Sequence, residues 1–134
     1  MKEKMITSGK RKTSIAKAVI KSGSGKVSIN KKDYKSLGMF DRLKIEEPLR
    51  ISAIILGKLN FDVEISVWGG GEKSQTEAAR LALARAIFKF TESKKIEDAF
   101  WEYDKNLLVA DVRRKESYKP GDSKARAKRQ TSYR

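Results

Sequence analysis

Phe61 to Trp68, FDVEISVW, alternates without a break: Phe61, Val63, Ile65 and Val67 take one parity and Asp62, Glu64, Ser66 and Trp68 the other, which predicts a half-buried strand. From Ser74 the period lengthens. Ala79, Leu83, Ala86, Ile87 and Phe90 recur at helical spacing, and Ser74-Gln75-Thr76-Glu77 reads as a capping box opening that helix. Leu81 and Phe88 lie on its far side near Arg85, so either a second element packs there or that face is open. A candidate for that element is the helix predicted from Lys94 to Tyr103, where Ile96, Phe100 and Tyr103 keep the period beside Trp101. Its aromatics suit a core better than a base-stacking row, because they do not line a basic groove.

Upstream, Ser14 to Ser22 mixes Ile15, Val19 and Ile20 with Lys17 and Lys21 in a strand-like pattern. Ser22-Gly23-Ser24-Gly25 turns the chain, and Lys26 to Asn30 is expected to return as the second strand of a hairpin. Lys17 and Lys21 share a parity, which places both on its polar face. Asn30-Lys31-Lys32-Asp33 is a polar turn, and Tyr34 to Asp41 an irregular stretch with Leu37, Met39 and Phe40 as core anchors. Pro48 suits the first position of a helix and Glu46-Glu47 its positive end, so a helix is expected over Leu49 to Leu56, capped by Gly57. Leu107, Leu108 and Val109 form the last apolar anchor. With no repeat and no dividing linker, the expected organisation is one globular domain over 1–112, its Met1 to Gly9 start short and mobile, followed by an extended basic tail over 113–134.

Charge sharpens that division. The 134 residues carry a net +14 with 39% hydrophobic content. Residues 1–26 hold eight Lys and Arg against Glu3, and residues 113–134 hold nine against Glu116 and Asp122, so each end is +7. Between them, fourteen cations balance fourteen acids. A neutral core with basic ends is the footprint of a polyanion binder rather than of a surface charged for solubility. The tail lacks Leu, Ile, Val, Phe and Met, so it cannot offset its own ordering entropy and is expected to order only on binding. Extended, it reaches ~70 Å, against a radius of roughly 13 Å for a domain of this size.

Cysteine and histidine are both missing, which removes disulfides, thiolate chemistry, the usual general base and the commonest metal ligand. No catalytic residue, metal or cofactor is expected. Nor is a membrane, since no apolar run approaches ~20 residues, or a secretory signal, since MKEKMITSGKRKT has no apolar core. Gly9-Lys10-Arg11-Lys12-Thr13 suits phosphate contact, a localisation signal being the plainer alternative. Gly69-Gly70-Gly71 between strand and helix is a candidate anion seat. Glu72 stands before Lys73 where a triphosphate-binding loop needs glycine, which argues against a nucleotide and leaves a plain turn or an RNA backbone contact.

These pieces in this order, GKRKTSIAKA at 9–18, GSGKVSIN at 23–30, DVEISVWGGGEKSQTEAARLALARA at 62–86, LLVADVRR at 107–114 and SYR at 132–134, resemble the universal small-subunit ribosomal protein nine family, called sixteen in eukaryotes, in its archaeal form. The resemblance implies an α/β fold of the two-layer α+β kind: a four-stranded sheet with helices packed on it and a left-handed βαβ crossover. It implies no enzyme, no cofactor and no small-molecule substrate, but a cytoplasmic, ribosome-bound protein. Its partners are then small-subunit rRNA of the large 3′ domain in the head, other ribosomal proteins of the head, and P-site tRNA. Carried over by position, rRNA contacts fall on Lys10, Arg11, Lys12, Thr13, Lys17, Gly70, Gly71, Lys73, Ser74, Arg113, Arg114, Lys115, Lys119, Lys124, Arg126, Lys128 and Arg129, and tRNA contacts on Tyr133 and Arg134. A free basic RNA chaperone or regulator would share the charge pattern. An enzyme acting through Gly69 to Ser74 would instead bind nucleotide at high salt, and a membrane-surface protein would need an apolar stripe beside its basic ends.

Overall fold

The structure, a computed structural model, describes residues 3–114 together with Ser117 and Pro120. Among the described residues five strands form one sheet: β1 (Met5–Arg11), β2 (Ser14–Ser22), β3 (Val27–Ile29), β4 (Lys32–Asp33) and β5 (Phe61–Trp68). Three α-helices of the described residues accompany them: α1 (Met39–Leu56), α2 (Glu72–Thr91) and α3 (Lys94–Tyr103). One face of the sheet is buried, through Ala16, Ala18 and Ile20 of β2 and Phe61, Val63, Ile65 and Val67 of β5, while the alternate residues are exposed or, at Ile15, Val19 and Asp62, half-buried. The helices cover that buried face. α2 lies on β1, β2 and β5, with α1 and α3 packed beside it. The fold is therefore mixed α/β, with five strands where four were expected; the extra one is the two-residue β4.

Sheet order is β1-β2-β5-β3-β4. β2 and β3, expected to pair as a hairpin, do not touch as strands. β5 lies between them, antiparallel to β2 and parallel to β3. Asp62 on β5 explains how the turn accommodates this: its Oδ1 accepts the backbone N–H groups of Ser24, Gly25 and Lys26 at 2.9, 3.1 and 3.0 Å. The turn thus wraps around a carboxylate from the inserted strand instead of closing on itself. Gly23 has no Cβ for a related reason, since one would overlap that carboxylate.

Met5 to Gly9, expected to be mobile, is most of the edge strand β1. Its inward row is Met5, Thr7, Gly9 and Arg11, too poor in apolar residues to announce a strand. At Gly9 bulk is excluded because α2 lies so close: a Cβ there would stand 2.5 Å from the Ala78 carbonyl oxygen and 2.7 Å from the Ala82 nitrogen. Thr7 Oγ1 ties the same contact by donating to the Ala82 carbonyl at 2.9 Å. β1 is thus the second element that packs against the Leu81 side of α2, and Leu81 is buried.

α1 begins at Met39, nine residues before Pro48, so the proline is inside the helix rather than at its start. Ile45, Pro48, Leu49 and Ser52 make one continuous buried stripe through it. The missing proline N–H costs one backbone bond, yet Arg42, Glu46 and Arg50, spaced by four, brace the same stretch at 3.0 and 2.8 Å. Burial of Ile45, Pro48 and Leu49 outweighs the lost bond. Met39 and Phe40 are not core anchors; at 70% and 79% exposed they point outward from the first turn. Leu37 is partly buried and does anchor. Gly57 ends α1 as expected, with φ 78.

In α3, Ile96 and Phe100 are fully buried while Trp101 and Tyr103 are about half exposed. Phe61 and Phe90 meet edge-on, with ring centroids 6.0 Å apart, where β5 meets α2. Among the described residues no helix is long and apolar enough to cross a membrane.

Candidate nucleic-acid interface

β1 and β2 are joined by the two-residue turn Lys12-Thr13, with Arg11 opposite Ser14. Lys12 holds a left-handed φ of 55°, unusual without glycine and expressed here at the tip of a basic hairpin. Strand parity splits the cationic trio. Lys10 and Lys12 are exposed, whereas Arg11 turns toward the helices. Arg11 Nε binds Glu77 of α2, and its Nη1 stands 3.4 Å from Asp111.

Those contacts belong to a charged cavity of about 290 Å³ between β1, α1, α2 and the segment after α3. Arg80 spans Glu47 and Asp104 within it, and Lys44 reaches Glu77 at 3.4 Å. Five cations, Lys10, Arg11, Lys44, Arg80 and Arg113, thus line it with four carboxylates, Glu47, Glu77, Asp104 and Asp111, and all of these cations but Lys10 are already paired with those carboxylates. Burial raises the Glu77 proton affinity, but Arg11 and Lys44 outweigh it and hold the carboxyl below its ordinary value. Asp111 is held well below the carboxylate range, first by the Arg113 side chain and backbone N–H, against opposing burial, then by the charge of Arg11.

The hairpin tip sits on the triple-glycine turn. Ser14, fully buried, donates its Oγ to the Gly69 carbonyl at 2.9 Å, and Gln75 Nε2 donates to the same oxygen at 3.0 Å. Gly69 and Gly70 have φ of 79° and 61°; a Cβ on the first would stand 2.6 Å from the Thr13 carbonyl oxygen, and one on the second would overlap Ser14 Oγ. Both glycines are therefore required by the fold. Gly71 is different: its φ is −94° and a methyl group added to it would meet nothing within 4 Å among the described residues, so space and conformation there leave the residue free.

Gly71 is also the N-cap of α2, which starts at Glu72 without a side-chain cap. The expected capping box is not formed. Ser74 lies inside the first turn, and Glu77 is drawn away to Arg11 and Lys44. The uncapped turn, with Gly70, Gly71 and Lys73 exposed and Ser74 half-buried, lies against Thr13 of the hairpin tip. Lys17 extends the basic surface down the open sheet face, opposite Ser8 on one side and Ser66 on the other.

At the other end, Arg85 Nε donates to the Leu108 carbonyl at 3.0 Å and its Nη1 to the Ser8 carbonyl at 2.9 Å, clamping the segment after α3 to the edge strand. Arg113 is exposed and paired with Asp111, and Arg114 caps the Asp111 and Arg113 carbonyls. Lys115, Lys119, Lys124, Arg126, Lys128, Arg129, Tyr133 and Arg134 lie outside the described residues. Among the described residues no cluster of potential metal ligands occurs. Arg85 and Trp68 were missed as members of this surface; parity alone places Trp68 beside Lys17 on the open face.

The chain matches the family model of ribosomal protein S9/S16 over residues 9–134. Among curated relatives, the small ribosomal subunit protein uS9 of Methanococcus vannielii is 45% identical over 131 residues, and that of Methanococcus maripaludis strain C7 is 46% identical over 131. The protein of the same name from Methanothrix thermoacetophila is 43% identical over 129 residues. Each alignment covers 96% of this chain and 96% of the relative. A family match that takes in the basic hairpin, the glycine turn and the tail, with relatives aligned along nearly the whole length, means that the chain belongs to the ribosomal protein S9/S16 family.

Proposed function

We propose that the chain is a structural, non-catalytic constituent of the small ribosomal subunit in the cytoplasm, bound to rRNA of the large 3′ domain in the head beside other head proteins. The observation that carries this reading is the family match over the full basic architecture, joined to the exposed Lys10, Lys12, Lys17 and Lys73 around an uncapped helix start. Lysines there neutralise phosphates and release counterions, and the glycines let an RNA backbone approach closely. On this reading residues 1–112 are the anchored domain and 113–134 the tail that orders on rRNA. Its basic positions from Arg113 through Arg129 line the path, and Tyr133 and Arg134 at the tip contact P-site tRNA. The crossover from β3 through α1 to β5 is then of the family's left-handed kind.

Sedimentation of a native lysate at moderate and then high salt tests the first part. Stoichiometric recovery with small subunits that survives the salt is expected, and a slow-sedimenting pool would leave only a free RNA binder. For the tip, removal of Arg134 is expected to spare assembly but weaken P-site tRNA retention. Truncated subunits that hold tRNA and initiate like the wild type would end that assignment.

A further inference from the structure

On the open face of the sheet the outward positions of β5 are Asp62, Glu64, Ser66 and Trp68, and the last is an aromatic among polar residues, 50% exposed. Its cross-strand neighbour is Ile15, whose own neighbour on β1 is Lys10, so one row across three strands reads Lys10, Ile15, Trp68. Lys17 is the diagonal neighbour, two residues beyond Ile15 on β2. Strand spacing puts the Lys10 backbone ~10 Å from that of Trp68, and diagonal spacing puts Lys17 at ~7–8 Å. Glu64, the next acid along that face of β5, is ~13 Å away. Beyond Trp68 the chain enters Gly69 and Gly70, which carry no side chain to shield the indole, and the Lys12-Thr13 tip packs against them.

A half-open indole forfeits much of the stabilisation its burial would bring. The fold does not require tryptophan here. A flat aromatic surface with cations on the adjoining strands of its own sheet face, and a bare backbone beside it, matches the chemistry by which proteins hold a single-stranded base: stacking for the ring, lysines for neighbouring phosphates. We propose that Trp68 is a stacking platform for an unpaired nucleobase of RNA, with Lys10 and Lys17 taking the flanking phosphates. This deepens the rRNA-binding reading and rests on it.

The test uses the full chain carrying Trp101→Phe, so that Trp68 is the sole tryptophan emitter. It is titrated with a short single-stranded oligoadenylate and, separately, with duplex RNA of equal length. Saturable quenching by the single strand is expected. Adding Trp68→Ala should weaken single-strand binding by about 5- to 150-fold at fixed salt, the range that loss of one stacked base implies. The salt slope and the duplex affinity should be unchanged, and Trp68→Phe should retain most of the binding. Salt-dependent RNA binding with unchanged emission and an inert Trp68→Ala would overturn the platform and leave the rRNA reading standing. Absence of salt-dependent binding to either RNA would overturn both. If Trp68→Ala fails to fold, the quenching measurement and Trp68→Phe decide the matter without it.

Discussion

Gly9→Ala is the sharpest perturbation the fold offers, because a single methyl group is placed where two backbones nearly touch. Gly9 is buried and its φ is ordinary, so no conformational strain enters. The methyl would stand 2.5 Å from the Ala78 carbonyl oxygen, 2.7 Å from the Ala82 nitrogen and 3.1 Å from the Leu81 Cβ. A carbon needs about 3.5 Å from such atoms, so α2 must rise by up to ~1 Å from β1. None of these atoms is a side-chain tip that can swing aside. Overpacking of this kind costs roughly 1–3 kcal/mol, and loosening the Thr7 bond to Ala82 adds about 1 more. A loss of about 2–4 kcal/mol is expected, which lowers the melting temperature by ~8–16 °C in a domain of this size. Gly71→Ala is the internal control. Its methyl meets no atom of the described residues within 4 Å, its weaker capping is offset by the stiffer unfolded chain, and its stability should stay within ~0.5 kcal/mol of wild type. Thermal and urea unfolding of both variants give the comparison. If Gly9→Ala melted with the wild type, close contact between α2 and the edge strand would not be a constraint on the fold.

Asp62→Ala removes one acceptor from three N–H groups and should cost about 2 kcal/mol in urea unfolding, discounted for partial exposure, with Asp62→Asn losing less. Arg11→Ala should destabilise by about 1–3 kcal/mol, because Glu77 and Asp111 lose a partner, yet hardly alter the salt slope of RNA binding. Lys12→Ala should do the reverse: an unchanged melting temperature and a slope smaller by roughly 0.7–0.9. Acid should unfold the protein early. Glu46 is lowered chiefly by its hydrogen bond from Arg42, and Asp62 by the Lys26 N–H and then those of Ser24 and Gly25. With Glu77 and Asp111 also lowered, four carboxylates bind protons less readily folded than unfolded. Their stabilisation is complete only above pH ~5, where the unfolded carboxylates are ionised too, and falls as acid titrates them; a melting temperature flat from pH ~6 to ~3 would contradict this.

Strand β5, the buried face of α2 and the extent of α3 were legible because each carries its own period in bulky residues. What was hidden had physical causes of three kinds. β1 puts only Met5 among its inward positions as a large apolar residue, the others being Thr7, Gly9 against α2 and the paired Arg11, so the strand lacks an apolar signature. The glycine-serine turn after Ser22 looks like that of a local hairpin, and nothing nearby reveals that a strand some 35 residues on will part its two arms. Pro48 imitates a helix start although the buried stripe from Ile45 to Ser52 runs through it. At the surface, the cations were visible as types, but a run of three hid that its middle member faces inward. Alternation, applied to Lys10-Arg11-Lys12 as it was to Lys17 and Lys21, would have found this.

The insertion of β5 between β2 and β3 also sets an order of events. Until Phe61 to Trp68 is available, the two strands flank a vacant slot, and neither has the partner it keeps in the native sheet on that side. A nascent chain released as far as α1 therefore holds two unpaired edges and an amphipathic helix with nothing to cover. Completing the sheet requires joining segments far apart in sequence, which slows folding relative to a chain of local hairpins and prolongs the interval in which those edges are open to other chains.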